Sequence, residues 1–367
     1  MSRKLLSYTA LGLILGNAAI ADVPKVAVDI SPVHSLVSRV MEGVGSPKLI
    51  IPAGASPHEY SLRPSEAKSL QDADMVIWMG EDLAPWMENS IEKLAKNAEI
   101  ITLLEISETK LLDYREGALF EEHDHGDHDD HDKDHDNHDD HDDHDHDKDH
   151  DDHDDHDDHD DHDHDKDHDD HDDHDDHDHD KDHDDHDDHD DHAGHDHGEH
   201  DPHAWLSLEN AQTWLNLVAG KLSAADPENA GVYFGNAAAA RSEIEELSKE
   251  VNSILDPVRG RSFVVFHDAY QYFETSFDFP ASGAISLGDA TDPSASRIAE
   301  IQGRVREEGI NCVLSEPQYN PNLVATVLEG TDAKTGVIDP LGVNLEPGPK
   351  LYGDLIRNMA KSLAGCL

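Results

Sequence analysis

Three histidines of this chain lie at positions from which a side chain could bind a metal. His58 comes a few residues after an apolar segment at 48–51, and His267 directly follows another at 263–266. His203 precedes a helical pattern. Imidazole nitrogens are common Zn²⁺ ligands, and three of them with a carboxylate or a water molecule complete a tetrahedral zinc site. The three residues therefore predict a site for Zn²⁺ or a similar transition metal.

A fourth candidate ligand is Asp339, which follows the apolar segment 335–338. Ligands of open α/β sheets bind beyond the carboxyl ends of the strands, where these side chains would gather. We expect His58 and His203 to come from one lobe, and His267 and Asp339 from the other. A water molecule is the alternative for the fourth position.

Three further polar residues lie near these candidate ligands or share their chemistry. Glu59 directly follows His58 and Asp268 directly follows His267, so each acid could hydrogen-bond a ligand ring and hold it in place. Glu59 is also an alternative fourth ligand. His34 lies inside a predicted helix, where we expect a structural histidine.

The elements that must position these residues alternate between strand and helix. Apolar segments of strand length lie at 26–30, 48–51, 75–78, 100–103, 263–266, 312–314 and 335–338, with helical patterns between them. This order predicts an α/β fold of two similar lobes, each a parallel sheet flanked by helices. The lobes span 22–225 and 260–367. A helical stretch at 227–255, within a linking segment at 226–259, is long enough to bridge them.

One segment, at 123–201, differs completely from the rest. It contains 42 Asp, one Glu and four Lys, and it carries −39 of the formal net charge of −56. Of the 31 histidines, 28 lie between His123 and His203. Such a segment cannot bury enough apolar surface to fold, so we expect disorder without metal. Since Asp and His both bind metals, His123 to His200 predict a low-affinity metal-binding loop that gathers or buffers metal beside His203.

The N-terminus indicates export. Arg3 and Lys4 precede an apolar stretch at 11–20, and Ala21 ends an Ala-x-Ala cleavage site. We therefore expect a signal peptide at 1–21, cleaved after Ala21, and a periplasmic protein.

The two cysteines, Cys312 and Cys366, favour a disulfide in an exported chain, with two buried thiols as the alternative.

The strongly negative charge narrows the choice of partners. Nucleic acids and anionic membrane surfaces are bound by basic patches, so we expect neither as a partner. A charge of −56 attracts cations instead.

Five short motifs carry a family resemblance. In chain order they are Pro57-His58-Glu59-Tyr60, Asp201-Pro202-His203-Ala204-Trp205, Phe266-His267-Asp268-Ala269-Tyr270, Glu316-Pro317-Gln318 and Asp339-Pro340-Leu341-Gly342. Together they resemble the zinc-binding periplasmic solute-binding proteins of ABC transporters, the ZnuA-like family. The resemblance covers the expected mature chain except the insert, which matches a variable His-rich loop that many members carry at this place.

This resemblance implies a ligand set and a task. His58, His203 and His267 match the three histidine ligands, and the cargo would be Zn²⁺ delivered to a membrane permease with its ATPase. His267 favours zinc, because manganese-binding relatives tend to place a Glu there. Some relatives have a Glu directly before the first histidine, where this chain has Pro57. Others use the aspartate that corresponds to Asp339.

The resemblance also implies one rigid helix joining the lobes around a metal cleft, and a disulfide at the two cysteines. We expect a monomeric binding protein and no enzyme. A zinc hydrolase would need an open coordination position and a general base, and the sequence has no HExxH motif. A metal-sequestering protein without a transporter and a manganese-specific binding protein are two further interpretations of the same motifs.

Overall fold

The computed structural model describes residues 23–115, 120, 200–286, 293–319 and 321–367. The expected signal peptide and the Asp/His-rich insert, apart from His200 and Asp201, lie outside the described residues. No helix within the described ranges is long and apolar enough to cross a bilayer.

The first half of the chain forms a parallel sheet of four strands. They are β1 (Val26–Val28), β2 (Lys48–Leu49), β3 (Met75–Trp78) and β4 (Glu99–Thr102), in the order β2-β1-β3-β4. Helices α1 (Ser31–Val40), α2 (Pro64–Gln71) and α3 (Pro85–Leu94) connect them. Every residue of β1 and β3 is buried, which suits central strands of a sheet covered on both faces.

The second half repeats this arrangement. Strands β5 (Phe263–His267), β6 (Ala284–Ser286), β7 (Cys312–Ser315) and β8 (Lys334–Val337) lie in the order β6-β5-β7-β8, all parallel. The helices are α6 (Gln271–Phe277), α7 (Ala295–Glu307), α8 (Pro321–Leu328) and α9 (Leu351–Cys366). The predicted fold of two α/β lobes with parallel sheets is therefore confirmed.

Two long helices lie between the halves in sequence, α4 (Leu208–Ala225) and α5 (Ala230–Leu255). Helix α5 begins three residues later than predicted because a 3₁₀ turn occupies 227–229. It packs against α1, α4 and α9, so it contacts elements of both halves. Its buried residues recur every three or four positions and are Tyr233, Ala237, Ala240, Ile244, Leu247, Val251 and Leu255. The assignment of 226–259 as a linking segment stays a prediction.

Two short elements, α6 and β6, were not predicted from the residue pattern. Helix α6 has only seven residues, and β6 has three. Segments this short carry too few residues to display a helical or strand period. Strand β5 also runs one residue further than predicted, so His267 is its last residue and not the first residue of a loop.

A disulfide joins Cys312, the first residue of β7, to Cys366, the last residue of α9. This agrees with the predicted pairing, and the alternative of two thiols is wrong. Gly336 on β8 makes room for it, since a β-carbon there would lie 3.1 Å from Cys366 Cβ and 3.0 Å from Leu314 Cδ2.

Asp29, directly after β1, is a fully buried carboxylate. Its oxygens accept hydrogen bonds from the backbone N–H of Ile30 at 2.7 Å and of Met79 at 2.6 Å. Burial raises the pKa of Asp29 from 3.8 to about 7. The folded protein therefore binds a proton at Asp29 more tightly than the unfolded chain does. The contribution of this proton to the stability of the fold is lost as pH rises from about 4 to about 7.

This shift predicts a pH-dependent effect of Asp29→Asn. The free energy of unfolding of the wild type should fall relative to that of the variant by up to about 1.4 kcal/mol per pH unit over this range. Urea unfolding of both metal-free proteins at several pH values measures the difference. A difference that does not change with pH would contradict the prediction.

Candidate metal site

The three predicted histidines lie together. One ring nitrogen of each of His58, His203 and His267 lies within 4.8 Å of the others. The ring centroids are 5.5 Å apart for His58 and His203 and 5.3 Å apart for His203 and His267. His203 and His267 are buried, and His58 is half-buried. The fold thus brings together side chains that lie up to 209 positions apart in the sequence.

The space between the rings is small. The cavity measures about 20 Å³ and is lined by the three histidines together with Glu316, Trp205 and Tyr319, among others. A cavity of this size holds about one water molecule or one ion. The site is therefore too small for an organic substrate, and three nitrogen donors around it suit a single metal cation.

His267 is fixed by its place at the end of β5 and by a carboxylate. Its Nδ1 lies 2.5 Å from Glu316 Oε1, and both side chains are buried. A carboxylate accepts a hydrogen bond, so the ring donates from Nδ1 and Nε2 is the nitrogen suited to a metal. Tyr270 packs against the ring. Burial, with the nearby Glu316, raises the pKa of Tyr270 well above its usual value and keeps the phenol neutral.

His203 is fixed in the same way by an acid two residues earlier. Asp201 Oδ1 accepts hydrogen bonds from His203 Nδ1 at 2.7 Å and from its backbone N–H at 2.9 Å. The Trp205 ring packs edge-on against His203 and donates from Nε1 to the carbonyl of Pro340 at 2.9 Å. Since Pro340 follows β8, this bond connects the two halves directly beside the site.

His58 lies in the loop between β2 and α2, which other side chains hold in place. Trp86 at the start of α3 donates from Nε1 to the carbonyl of Pro57 at 2.8 Å. Tyr60 packs edge-on against Trp86, and its hydroxyl donates to Glu66 at 2.8 Å. Glu66, in the first turn of α2, also accepts from the backbone N–H of Arg63, the residue directly before the helix, which links this loop to the helix start.

The acids predicted to support the histidines are not the ones that do so. Glu59 is exposed, and Asp268 pairs with Arg115. Asp201 and Glu316 take this role instead. Both stand in motifs visible in the sequence, and Glu316 directly follows β7, the neighbour of β5. The rule that side chains after adjacent parallel strands meet at one edge could have identified it.

Asp339 and His34 are not part of the group whose ligand atoms lie within 4.8 Å of one another. The Asp339 carboxylate accepts backbone N–H bonds from Leu341 at 3.0 Å, Gly342 at 2.9 Å and Val343 at 2.7 Å, so it stabilises the turn after β8. His34, on α1, lies 3.3 Å from the carbonyl of Pro47, which agrees with the structural role expected for it.

Comparison with known proteins agrees with this geometry. The family described as zinc-uptake complex component A, periplasmic (ZnuA), matches residues 26–366. The chain belongs to the ZnuA family. Among its ZnuA relatives, the high-affinity zinc uptake system protein ZnuA of Paracoccus denitrificans is 44% identical over 365 residues, covering 98% of each chain. The protein of that name from Brucella abortus is 42% identical, covering 96% of this chain and 94% of the relative.

Solved structures show the same fold as this ZnuA-family chain. A crystal structure of ZnuA has a TM-score of 0.64 at 17% identity and covers 94% of this chain and 99% of its own. The solute-binding protein FpvC of Pseudomonas aeruginosa, in complex with Mn²⁺, has a TM-score of 0.64 at 16% identity and covers 94% and 98%. At these identities the likeness concerns the fold alone.

The Glu316–His267 hydrogen bond leads to a prediction. In Glu316→Gln the His267 ring loses its carboxylate acceptor. The ring is then held less firmly in its orientation and is less basic as a metal ligand. We expect zinc affinity to fall by about 10- to 100-fold, the usual cost of losing such a partner. Competition with a zinc chelator measures the affinity. Glu250→Gln, which removes an exposed ion pair with Arg357, is the control, and equal affinity in the two variants would contradict the prediction.

Proposed function

We propose that this chain captures Zn²⁺ in the periplasm and delivers it to the membrane permease of an ABC importer driven by an ATPase. Membership of the ZnuA family and the relatives named as zinc uptake proteins support this proposal. The observation that carries it is the convergence of three imidazoles on a space for one ion. Such a site binds a metal tightly and offers no room for another substrate.

In this proposal His58, His203 and His267 are the zinc ligands. We propose a water molecule as the fourth ligand, because Asp339 is not part of the group of three histidines and its carboxylate accepts three backbone hydrogen bonds of its own turn. The exposed side chain of Glu59 supports the same choice. Three neutral imidazoles favour Zn²⁺ over Mn²⁺, which prefers oxygen donors.

The remaining parts of the proposal rest on the sequence alone. A signal peptide cleaved after Ala21 would export the chain, and the loop from His123 to His200 would gather or buffer zinc before it reaches the cleft. A monomeric state and the lack of a nucleic-acid partner stay predictions, supported by the net charge of −56 in the second case.

A competition titration tests the function. The full chain and a variant lacking 124–198 are titrated with Zn²⁺ and with Mn²⁺ against chelators of known affinity. We expect one tight zinc site in both proteins, far weaker manganese binding, and additional weak zinc sites in the full chain only. No tight site in the shortened variant would overturn the proposal and leave the insert as the main metal-binding feature.

Growth separates transport from sequestration. A bacterial strain without its own zinc-binding component is supplied with the full chain, the shortened variant or no protein, and is grown with increasing chelator. We expect the full chain to restore growth and the shortened variant to restore it only at milder zinc limitation. Tight binding in vitro with no rescue by the full chain would favour a sequestering protein that has no transporter partner.

A further inference from the structure

A segment that precedes the Asp/His-rich insert is paired with the last residues of the insert. We call residues 112–115 and 200–201 the insert root. Asp113 and His200 form an antiparallel bridge, and Asp113 Oδ1 lies 3.0 Å from His200 Nδ1. The backbone N–H of Asp201 donates to the carbonyl of Leu112 at 2.8 Å. The root is therefore a defined structure, although it borders a segment of extreme composition.

This root is attached to the half of the molecule that carries His267. The hydroxyl of Tyr272, on α6, accepts from the backbone N–H of Leu112 and donates to the carbonyl of Asp201, both at 2.9 Å. Asp201 is the residue whose carboxylate holds His203. One tyrosine thus connects α6 to both strands of the root.

Arg115 makes the second connection. Its Nε donates to the two carboxylate oxygens of Asp268 at 3.1 and 3.0 Å, and its Nη1 donates to Glu274 Oε2 at 2.7 Å. Its Nη2 contacts both acids. The side chains are 15% exposed for Arg115, 6% for Asp268 and 4% for Glu274. Phe120 covers the guanidinium at 3.6 Å.

The position of Asp268 gives this contact its significance. Asp268 directly follows His267, so the guanidinium holds the peptide next to a proposed metal ligand. The other end of the root holds His203 through Asp201. We propose that Arg115 is a positioning residue for the metal site, which fixes His267 relative to His203 by tying the insert root to Asp268 and Glu274. This inference rests on the proposed zinc-binding function.

A positioning role and a purely electrostatic role of Arg115 predict opposite effects of its loss on metal binding. If Arg115 acts by position, its loss weakens metal binding. If it acts only by its positive charge, its loss removes a repulsion and tightens the binding of a cation. Arg115→Lys separates the two, because lysine keeps the charge but cannot donate in a fork to two carboxylates.

The test uses the full chain with one equivalent of metal. For Arg115→Lys we expect zinc to dissociate about tenfold faster into excess chelator. This is the size of effect seen when a residue that orients metal ligands, without binding the metal itself, is replaced. We also expect the visible absorption of bound Co²⁺ to change, which reports the ligand geometry and not the stability of the fold. Dissociation and absorption equal to those of the wild type would overturn the inference, as would slower dissociation from Arg115→Met.

Arg39→Lys is the matched control. Arg39, on α1, is also largely buried, at 16% exposure, and also binds two acids, Glu42 and Glu243. Glu42 lies in the turn after α1 and Glu243 on α5. Arg39→Lys should leave both readouts unchanged. If Arg115→Lys does not fold, Arg115→Met with Glu274→Gln removes one charge of each sign, and we expect the same tenfold effect.

The wild type, measured in parallel, distinguishes this inference from the proposed function. A wild type without a tight zinc site would overturn the proposed function and the inference together. A wild type that binds tightly, with Arg115→Lys identical to it, would overturn the inference alone.

Discussion

His267→Ala is expected to lower the zinc affinity of the cleft site by more than about 100-fold, beyond the usual cost of losing a partner outside the metal's own ligands. The ring comes from the last residue of β5, which the strands β6 and β7 hold on both sides. Since the residue is only 4% exposed, a replacement ligand from solvent would have little access to its position. The variant also leaves the buried carboxylate of Glu316 without its imidazole partner.

His34→Ala provides the matched control for this prediction. His34 is also a buried histidine, at 8% exposure, but it lies against the carbonyl of Pro47. It should lower the stability of the fold without changing zinc affinity. Competition titrations of both variants, together with their thermal unfolding, separate a lost ligand from a weakened fold. Equal affinities in the two variants would remove His267 from the site.

The residue pattern was sufficient to predict the site because of where strands end. Short apolar segments fixed the places of β5 and β8, and parallel strands present the residues after them at one edge of the sheet. This reasoning brought His267 together with His58 and His203. It also placed Asp339 at the same edge, but it could not show that backbone N–H groups of the turn would take up the carboxylate.

Side-chain contacts between segments distant in the sequence cannot be predicted from the positions of strand ends. Asp268 follows a ligand and has the right chemistry to support it, yet Arg115 from the insert root binds it instead. Nothing in the spacing of residues 115 and 268 predicts that pair, because the two residues are 153 positions apart and belong to different halves of the chain. Glu316 was accessible in principle, since β7 was predicted and lies beside β5.

Reduction of the Cys312–Cys366 disulfide is expected to lower the free energy of unfolding by roughly 4 kcal/mol, the value for closing a loop of about this length in the chain-entropy model. The two residues are 54 positions apart and join the first residue of β7 to the end of α9. Cys312 is fully buried and Cys366 is 4% exposed. A reductant should therefore cleave the bond slowly until urea opens the fold.

Urea unfolding of the oxidised and the fully reduced wild type measures this difference with no change of side chains. Cys312→Ala with Cys366→Ala is the second comparison, and it should match the reduced protein to within the cost of the lost packing. Because the cross-link acts chiefly on the unfolded chain, the folded zinc site should keep its affinity after reduction. Equal unfolding free energies for oxidised and reduced protein would contradict the prediction. A large loss of zinc affinity would instead mean that the bond shapes the site, through the pairing of β7 with the strand that carries His267.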